Sequence, residues 1–334
     1  PICPSSAWGC PFCPQAESPA QFWRLLVEGR DAVGPMPRAR LQPQDRSRPE
    51  DPSLLGGFLA QIDQFDPQFF NIAPREVLSM DPQHRLLLEL AWEALEDAGV
   101  PPPGLAGSQT GVFVGISSRD YPQHVWTHAP TDDPYLTTGT GHSIAASRIA
   151  YLLDLRGPCL AVDTACSSSL VATHLACQSL WQGESDLAFV AGVNLIFMPR
   201  VTANMAGAGF IAPDGRCKTF DARADGYVRS EGAGMVILKP LSQALADGNS
   251  IYAVIRGSAI NQDGRSNGLT APNPQAQEAV IRAAYQHAGI SPGQVQYVEA
   301  HGTGTKLGDP IELKALGKVL SEGAPQGLWA RWVP

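Results

Sequence analysis

The chain has 334 residues, 44% of them apolar and 17% charged, with a net charge of −8 and a pI near 5.4. This is a globular composition, long enough for one large domain or two moderate ones with full cores; it excludes a disordered chain and a general nucleic-acid binder, which needs clustered positive charge. No apolar run reaches the roughly 18–20 residues of a membrane span, and seven scattered cysteines do not form a disulfide scaffold, so a reducing compartment, the cytoplasm, is expected.

The first residues, "PICPSSAWGCPFCP", lack a basic flank and an apolar segment, so no signal peptide is expected, and the missing initiator Met points to a trimmed or excised chain. Cys10 and Cys13 form a C-x-x-C pair near Cys3, but no fourth ligand follows at zinc spacing. No metal is expected there, and residues 1–17 read as an irregular segment. Ser18 and Pro19 open a helix over "SPAQFWRLLVEG". Residues 30–57, rich in Pro, Arg and Asp, predict an extended loop. The arginines Arg24, Arg30, Arg38, Arg40, Arg46 and Arg48 read as a solvated run, with a docking patch for an acidic partner as the sharper alternative.

"SMDPQHRLLLELAWEALEDAG" predicts a strong helix with Leu86, Leu87, Leu90, Ala91, Ala94, Leu95 and Ala98 as its apolar stripe, stopped by Gly99 and Pro101. "TGVFVGI" (Thr110–Ile116) is a buried-type strand, and "GHSIAASRIAYLLDL" a helix of small residues. Next come a strand, "CLAVDTA", a helix, "SSSLVATHLACQSLWQG", and a buried strand, "DLAFVAGVNLI". His84 and His174 fall on these helices as packing or polar-core residues. Residues 197–231 break into Gly, Pro, Asp and Arg, and so long an irregular stretch is usually functional. Strands are predicted again at "GAGMVILKP" and "IYAVIRGSAI", then a helix, "PQAQEAVIRAAYQHAG", a strand, "VQYVEA", a glycine-rich loop and a last helix, "DPIELKALGKVL". The alternation gives an α/β fold with a mostly parallel sheet and reactive residues at the strands' C-terminal ends. The strand–helix order before Pro240 recurs loosely after Ile251, suggesting two related halves.

Cys166 stands where the strand "CLAVDTA" meets a helix. Unpaired N–H groups and the partial positive charge of a helix N-terminus favour thiolate over thiol. Ser167, Ser168 and Ser169 suit a first helical turn, where hydroxyls can satisfy free N–H groups. The backbone N–H of Cys166 is placed to bond an oxyanion on an attacked thioester. The ordinary alternative is a packed core thiol, which is what Cys159, Cys177 and Cys217 are expected to be.

"VEAHGTGTKLGDPIE" supplies a second strand end. His301 precedes glycines that let a ligand approach, and is a candidate acid/base or hydrogen-bond donor. Thr303 and Thr305 can bond a polar, extended ligand arm. Asp309 and Glu312 open a helix, where the dipole alone could account for them. The spacing is not that of a phosphate-binding loop.

"VDTACSSSL" and "EAHGTGTKLGDPIE", with "MDPQHRLLLELAWEALEDAG", "PDGRCKTFDARADGYVRSEGAG" and "NQDGRSNGLTAPN", resemble the β-ketoacyl synthase family, in particular the ketosynthase domains of type I polyketide synthases and animal-type fatty acid synthases. The resemblance implies a thiolase-like α/β fold with two related βαβαβαββ halves in a five-layered α-β-α-β-α arrangement, usually a homodimer. It divides the chain into residues 18–240, a first half with the nucleophile, and residues 241–325, an incomplete second half; residues 326–334 read as a tail outside the family. It also implies the reaction. Cys166 takes an acyl group from a phosphopantetheine thioester, a malonyl-type extender on an acyl carrier protein loses CO₂, and the carbanion attacks the acyl-cysteine. His301 matches a histidine that assists decarboxylation, and Thr303 and Thr305 match contacts to the pantetheine arm. No cofactor is bound directly, since the substrates ride on the 4'-phosphopantetheine of the carrier.

The pattern departs from the family at both ends. An "IAIIGM"-like first strand is replaced, and a lysine, a second histidine and a final hairpin have no counterpart. The departures predict weak condensing activity, marginal stability, and the loss of the groups that Asp309 and Glu312 would bond. Two other readings are an inactive ketosynthase-like dimerisation scaffold and a different Cys–His thioester acyltransferase, thiolase-like or hydrolytic; "EAHGTGT" argues against the latter.

Overall fold

The computed structural model describes residues 2–12, 14–41, 54–128 and 132–322. Cys13, Arg46, Arg48 and the tail 326–334 lie outside the described residues. The chain divides into two compact units. Unit 1 takes Gly56–Val201, Ser230–Val254 and the described residues before 42; unit 2 takes Thr202–Arg229, residues 54–55 and residues 255–322.

In chain order the structure forms β1 (Ile2–Phe12), α1 (Pro19–Val27), β2 (Val33–Pro35), β3 (Leu55–Gly57), α2 (Pro74–Ser79) and α3 (Pro82–Ala98). Then come β4 (Thr110–Ile116), α4 (Asp120–His128), α5 (Leu136–Thr140), α6 (His142–Leu152), β5 (Cys159–Val162), α7 (Ser168–Gln182) and β6 (Leu187–Asn194). The rest are α8 (Pro199–Gly207), β7 (Gly232–Pro240), α9 (Leu241–Ala246), α10 (Pro274–Ala288) and α11 (Gly308–Leu320). No helix among the described residues is long and apolar enough to cross a membrane.

Unit 1 is built on a five-stranded sheet in the order β1-β7-β6-β4-β5. β4 runs parallel to β5 and β6, whereas β7 runs antiparallel to β6 and β1 antiparallel to β7. The sheet is thus parallel only across β5, β4 and β6. The antiparallel return at β7 follows α8 and a long irregular link, residues 208–231, so parallel direction is not imposed.

Side chains alternate across this sheet. Val112, Val114 and Ile116 of β4, Phe189, Ala191 and Val193 of β6, and Met235 and Ile237 of β7 share one core with Leu86, Leu87 and Leu90 of α3 and Ala145 and Ile149 of α6. Helix α7 covers the opposite face and buries Ala172, Ala176, Cys177 and Leu180. Burial on both faces is why β4 and β6 read as continuous apolar runs. The apolar stripe of α3 is buried as its period requires. Asp81 caps that helix through Gln83 N at 2.8 Å, and Gly99 ends it in the left-handed region at φ 64°.

Several expectations need correction. Residues 2–12, irregular by pattern, form β1 along β7, with two register shifts. Edge pairing uses backbone groups, which carry no side-chain period. Arg40 is not solvated: its Nη1 donates to Glu231 Oε1 at 2.6 Å, and the Glu231 side chain is fully buried. Glu231 also accepts from Leu59 N at 2.9 Å and Ile196 N at 2.8 Å. Residues 251–260 and 295–300 form no strand element. A β-type pattern describes side chains that fit a pleated surface, and Tyr252, Ile260 and Tyr297 are instead exposed.

Unit 2 packs α10 against α11. Arg282 of α10 joins Glu278 and, with a 2.5 Å contact, Glu322, while Lys318 of α11 reaches Glu278 at 2.7 Å. Residues 202–229 pack with this unit, Gly226 N donating to Gly304 O in the loop preceding α11.

Candidate active site

Cys166 lies in a 3-10 turn, Ala165–Ser167, between β5 and α7. It is exposed, and its thiol is free. Side chains pin the turn. Asp163 Oδ1 accepts from Ala165 N at 3.2 Å, and Ser168 Oγ accepts from Thr164 N at 2.9 Å while donating to Ala165 O at 2.7 Å. Ser167 Oγ donates to Thr164 O at 3.0 Å. Ala165 takes φ 55°, a left-handed conformation uncommon outside glycine. The serine hydroxyls therefore satisfy the turn and not the helix: Ser167 at the N-cap of α7 makes no side-chain cap bond. Within the turn Ser167 N donates to Thr164 O at 3.4 Å and Ser168 N to Ala165 O, so backbone carbonyls and not side chains take the N–H groups at the helix start. The backbone N–H of Cys166 donates to no acceptor among the described residues.

The turn sits close on the sheet because two strands carry glycine where α7 starts. A Cβ on Gly115 of β4 would lie 2.6 Å from Ser169 N, and one on Gly192 of β6 would lie 2.9 Å from Ser169 Cβ. Gly115 and Gly192 are register partners. They went unread in the sequence, although a glycine inside a strand pattern signals close backbone approach.

Of the other thiols, Cys159 is half-buried and Cys177 buried. Burial pushes both up, Cys177 to about 11, so neither is poised to react. Cys217 departs from expectation: it is exposed, and its Sγ lies 3.5 Å from Gly302 O, beside the histidine loop.

In unit 2, His301 is exposed, and its imidazole makes no hydrogen bond among the described residues. Its backbone is firmly held. Glu312 Oε1 accepts from His301 N at 2.6 Å and Oε2 from Gly302 N at 2.8 Å. Asp309 is buried; its Oδ1 accepts from Gly304 N at 3.0 Å and its Oδ2 from Phe220 N at 2.6 Å. The expectation that both carboxylates lack partners is thus overturned: backbone N–H groups of this chain satisfy them. Thr303 and Thr305 share a hydroxyl–hydroxyl bond of 3.0 Å, and Thr305 Oγ1 also accepts from Gly308 N at 3.1 Å, at the start of α11. Gly302 and Gly304 have φ 54° and 67°, which explains the glycines at these positions. The structure thus gathers His301, Thr303, Thr305, Asp309 and Glu312 into one cluster of unit 2, while Cys166 belongs to unit 1.

Chemically, the first cluster offers an accessible thiol beside its own unbonded N–H, suited to attack on a carbonyl, and the second an accessible imidazole on an immobilised backbone. The comparisons fit this chemistry. Residues 8–244 match the family model "Beta-ketoacyl synthase, N-terminal domain", and residues 252–330 match "Beta-ketoacyl synthase, C-terminal domain". One phenolphthiocerol/phthiocerol polyketide synthase protein of Mycobacterium tuberculosis is 53% identical over 324 residues, 95% of this chain and 17% of that protein. Another component of the same synthase, from the same organism, is 50% identical over 321 residues, 94% of this chain and 21% of that protein. Among solved structures, the ketosynthase from module 6 of the bacillaene synthase of Bacillus subtilis 168 is 43% identical with a TM-score of 0.86, covering 96% of this chain and 54% of that one. An oxazolomycin ketosynthase domain of Streptomyces albus JA3453 is 38% identical with a TM-score of 0.89, covering 98% and 57%. The chain thus spans about a fifth or less of these curated relatives and little more than half of the solved ketosynthases, with which it shares the thiolase-like fold.

Proposed function

Because the chain belongs to the β-ketoacyl synthase family, we propose that it carries the condensing step of polyketide or fatty acid assembly. Cys166 Sγ attacks the carbonyl of an acyl thioester carried on phosphopantetheine. The new S–C bond forms as the pantetheine sulfur leaves and takes up a proton. A malonyl-type thioester then loses CO₂, and the electron pair of the broken C–C bond remains as an enolate. The enolate carbon attacks the acyl carbonyl, Cys166 sulfur departs as thiolate, and a β-ketoacyl thioester is released. The N–H of Cys166 supports the oxyanion, and the imidazole of His301 donates to the enolate oxygen. Thr303 and Thr305 border the path of the pantetheine arm, and an acyl carrier protein is the macromolecular partner.

A second copy of the chain is the other partner we assign, at β5. This strand is an edge of the sheet, its side chains are half-buried or exposed, and Leu160 is 44% exposed. An edge with free backbone groups is a template for pairing with a copy of itself.

The observation that carries the reading is the exposed free thiol of Cys166 at the start of α7, on glycine-backed strands. The test is loading with an acyl-pantetheine thioester, followed by mass mapping and a decarboxylation assay with a malonyl carrier. Acyl mass on Cys166, lost in Cys166→Ala, is expected. His301→Ala should slow decarboxylation by about 10²-fold or more, the usual scale of acid–base assistance. Hydrolysis of simple thioesters with no decarboxylation would favour the other Cys–His thioester chemistry, and activity unchanged in Cys166→Ala would favour a scaffold.

A further inference from the structure

We propose that Thr219 is a positioning residue for the loop that carries His301 and Thr303; its role in a reaction rests on the assignment of His301 above. Five successive peptide planes of this loop are each anchored. The plane entering His301 is held through its N–H by Glu312, and so is the plane entering Gly302. The plane entering Gly304 is held by Asp309, and the carbonyl of Gly304 accepts from Gly226 N at 2.9 Å. The plane between Gly302 and Thr303 lies at the centre of this set. Its carbonyl accepts from Thr219 Oγ1 at 2.6 Å, backed by Cys217 Sγ at 3.5 Å. Thiols are weak donors, so the hydroxyl carries the contact.

This plane most needs an anchor. Gly302 borders it directly and Gly304 lies one residue beyond Thr303, both with positive φ, a conformation that glycine adopts without the steric cost of a Cβ. The same plane sets where Thr303 leaves the backbone, and through Gly302 it stabilises the Glu312 clamp across His301. The segment presenting Thr219 is itself forced into place. Phe220 takes φ 59°, which bulky residues avoid, and its N–H is captured by Asp309 Oδ2 at 2.6 Å. One carboxylate thus holds both the donor segment and the loop. Thr219 also packs on the glycine it binds: a Cβ on Gly302 would lie 2.6 Å from Thr219 Cγ2.

The test compares Thr219→Val, which keeps the shape and removes the donor, with Thr219→Ser, which keeps the donor. Amide hydrogen exchange, Cys166 acylation and malonyl-carrier decarboxylation are measured on the whole chain. In Thr219→Val, exchange at His301, Gly302 and Gly304 should rise by about tenfold, the upper reach of one neutral hydrogen bond, with the interiors of α10 and α11 unchanged. Decarboxylation should fall by about the same factor, acylation should stay within about twofold, and Thr219→Ser should behave as wild type. Unchanged loop exchange in Thr219→Val overturns the proposal. So does a serine variant as impaired as the valine one, or equal loss in acylation, decarboxylation and helix protection, which would mark general unfolding. A wild-type chain that does not decarboxylate refutes the reaction assigned to His301, while the exchange comparison still decides whether Thr219 sets the loop.

Discussion

Replacing His84 by leucine should change how the stability of the chain depends on pH. The ring lies in the first turn of α3, wholly buried, with neither nitrogen hydrogen-bonded. Burial, joined by the charges of Arg148, His142 and Arg85, pulls its pKa from 6.5 to about 3. The folded chain therefore keeps the ring neutral down to acid pH, while the unfolded chain protonates it below about 6.5. A base whose folded pKa lies below its unfolded one leaves stability intact above the unfolded value and takes it away as pH falls. At pH 5.0, roughly 1.5 units below, the loss relative to pH 7.5 is about 2 kcal/mol. Asp81 acts in the opposite sense over part of this window, because burial pushes its carboxyl from 3.8 to about 6 and stability is gained as pH falls between these values. The wild-type curve mixes the two, but the difference between wild type and His84→Leu isolates the histidine. Leucine also removes two buried nitrogens without partners, so the variant should be at least as stable at pH 7.5. Urea unfolding at several pH values, followed by circular dichroism, measures the gap. It should widen by about 2 kcal/mol from pH 7.5 to 5.0; a gap constant to within about 0.5 kcal/mol, or one that narrows, would refute the reasoning.

Gly115→Ala should destabilise unit 1 by about 1–3 kcal/mol and slow acyl loading of Cys166, since the new methyl meets the backbone of Ser168 and Ser169. Denaturation together with loading kinetics checks both, and a variant normal in both would show that α7 has room to retreat. Glu231→Gln should cost about 3–5 kcal/mol in urea unfolding, because it strands the Arg40 guanidinium, which is 10% exposed, in an otherwise buried network; a loss below about 1 kcal/mol would contradict this. Leu160→Lys places a charge on the edge strand β5 and should shift the chain from dimer to monomer in sedimentation. A wild-type monomer would refute the proposed pairing with a second copy, and a dimer insensitive to the substitution would move its surface away from β5.

Local signals made much of unit 1 legible in the sequence. Thr110–Ile116 forms β4 from end to end because an apolar run between turn residues can only be a buried strand in that setting. α3 keeps its Asp81 cap and its Gly99 stop because both act within one turn of the helix. What stayed hidden is long-range. Glu231 meets an arginine 191 residues away, and the Thr219 hydroxyl reaches a carbonyl 83 residues on, so no spacing rule could join them. Cys217 lies next to His301's neighbour Gly302 for the same reason. β1 was invisible because an edge strand is recruited through its backbone, and "PICPSSAWGCPFC" carries no alternation to advertise it.

Cys166 and His301, the two groups assigned to the proposed reaction, are placed by different physics, and they should fail differently. Cys166 is held from beneath by packing: β4, β6 and α7 are buried, Gly115 and Gly192 seat the helix start, and the strained Ala165 persists because its surroundings over-determine it. Disturbing it requires moving a core, so its geometry should persist until unit 1 unfolds cooperatively. His301 rests on a thinner floor within unit 2, where α10 has no fully buried residue and the apolar residues that α11 buries are Ala315, Leu316 and Val319. Its loop is held by polar pins, Glu312, Asp309 and Thr219, each worth a few kcal/mol at most. Such a loop can loosen one bond at a time. Sub-denaturing urea should therefore raise amide exchange around His301 before it touches the amides of β4, and equal protection at both places would show that packing, not these pins, sets the histidine.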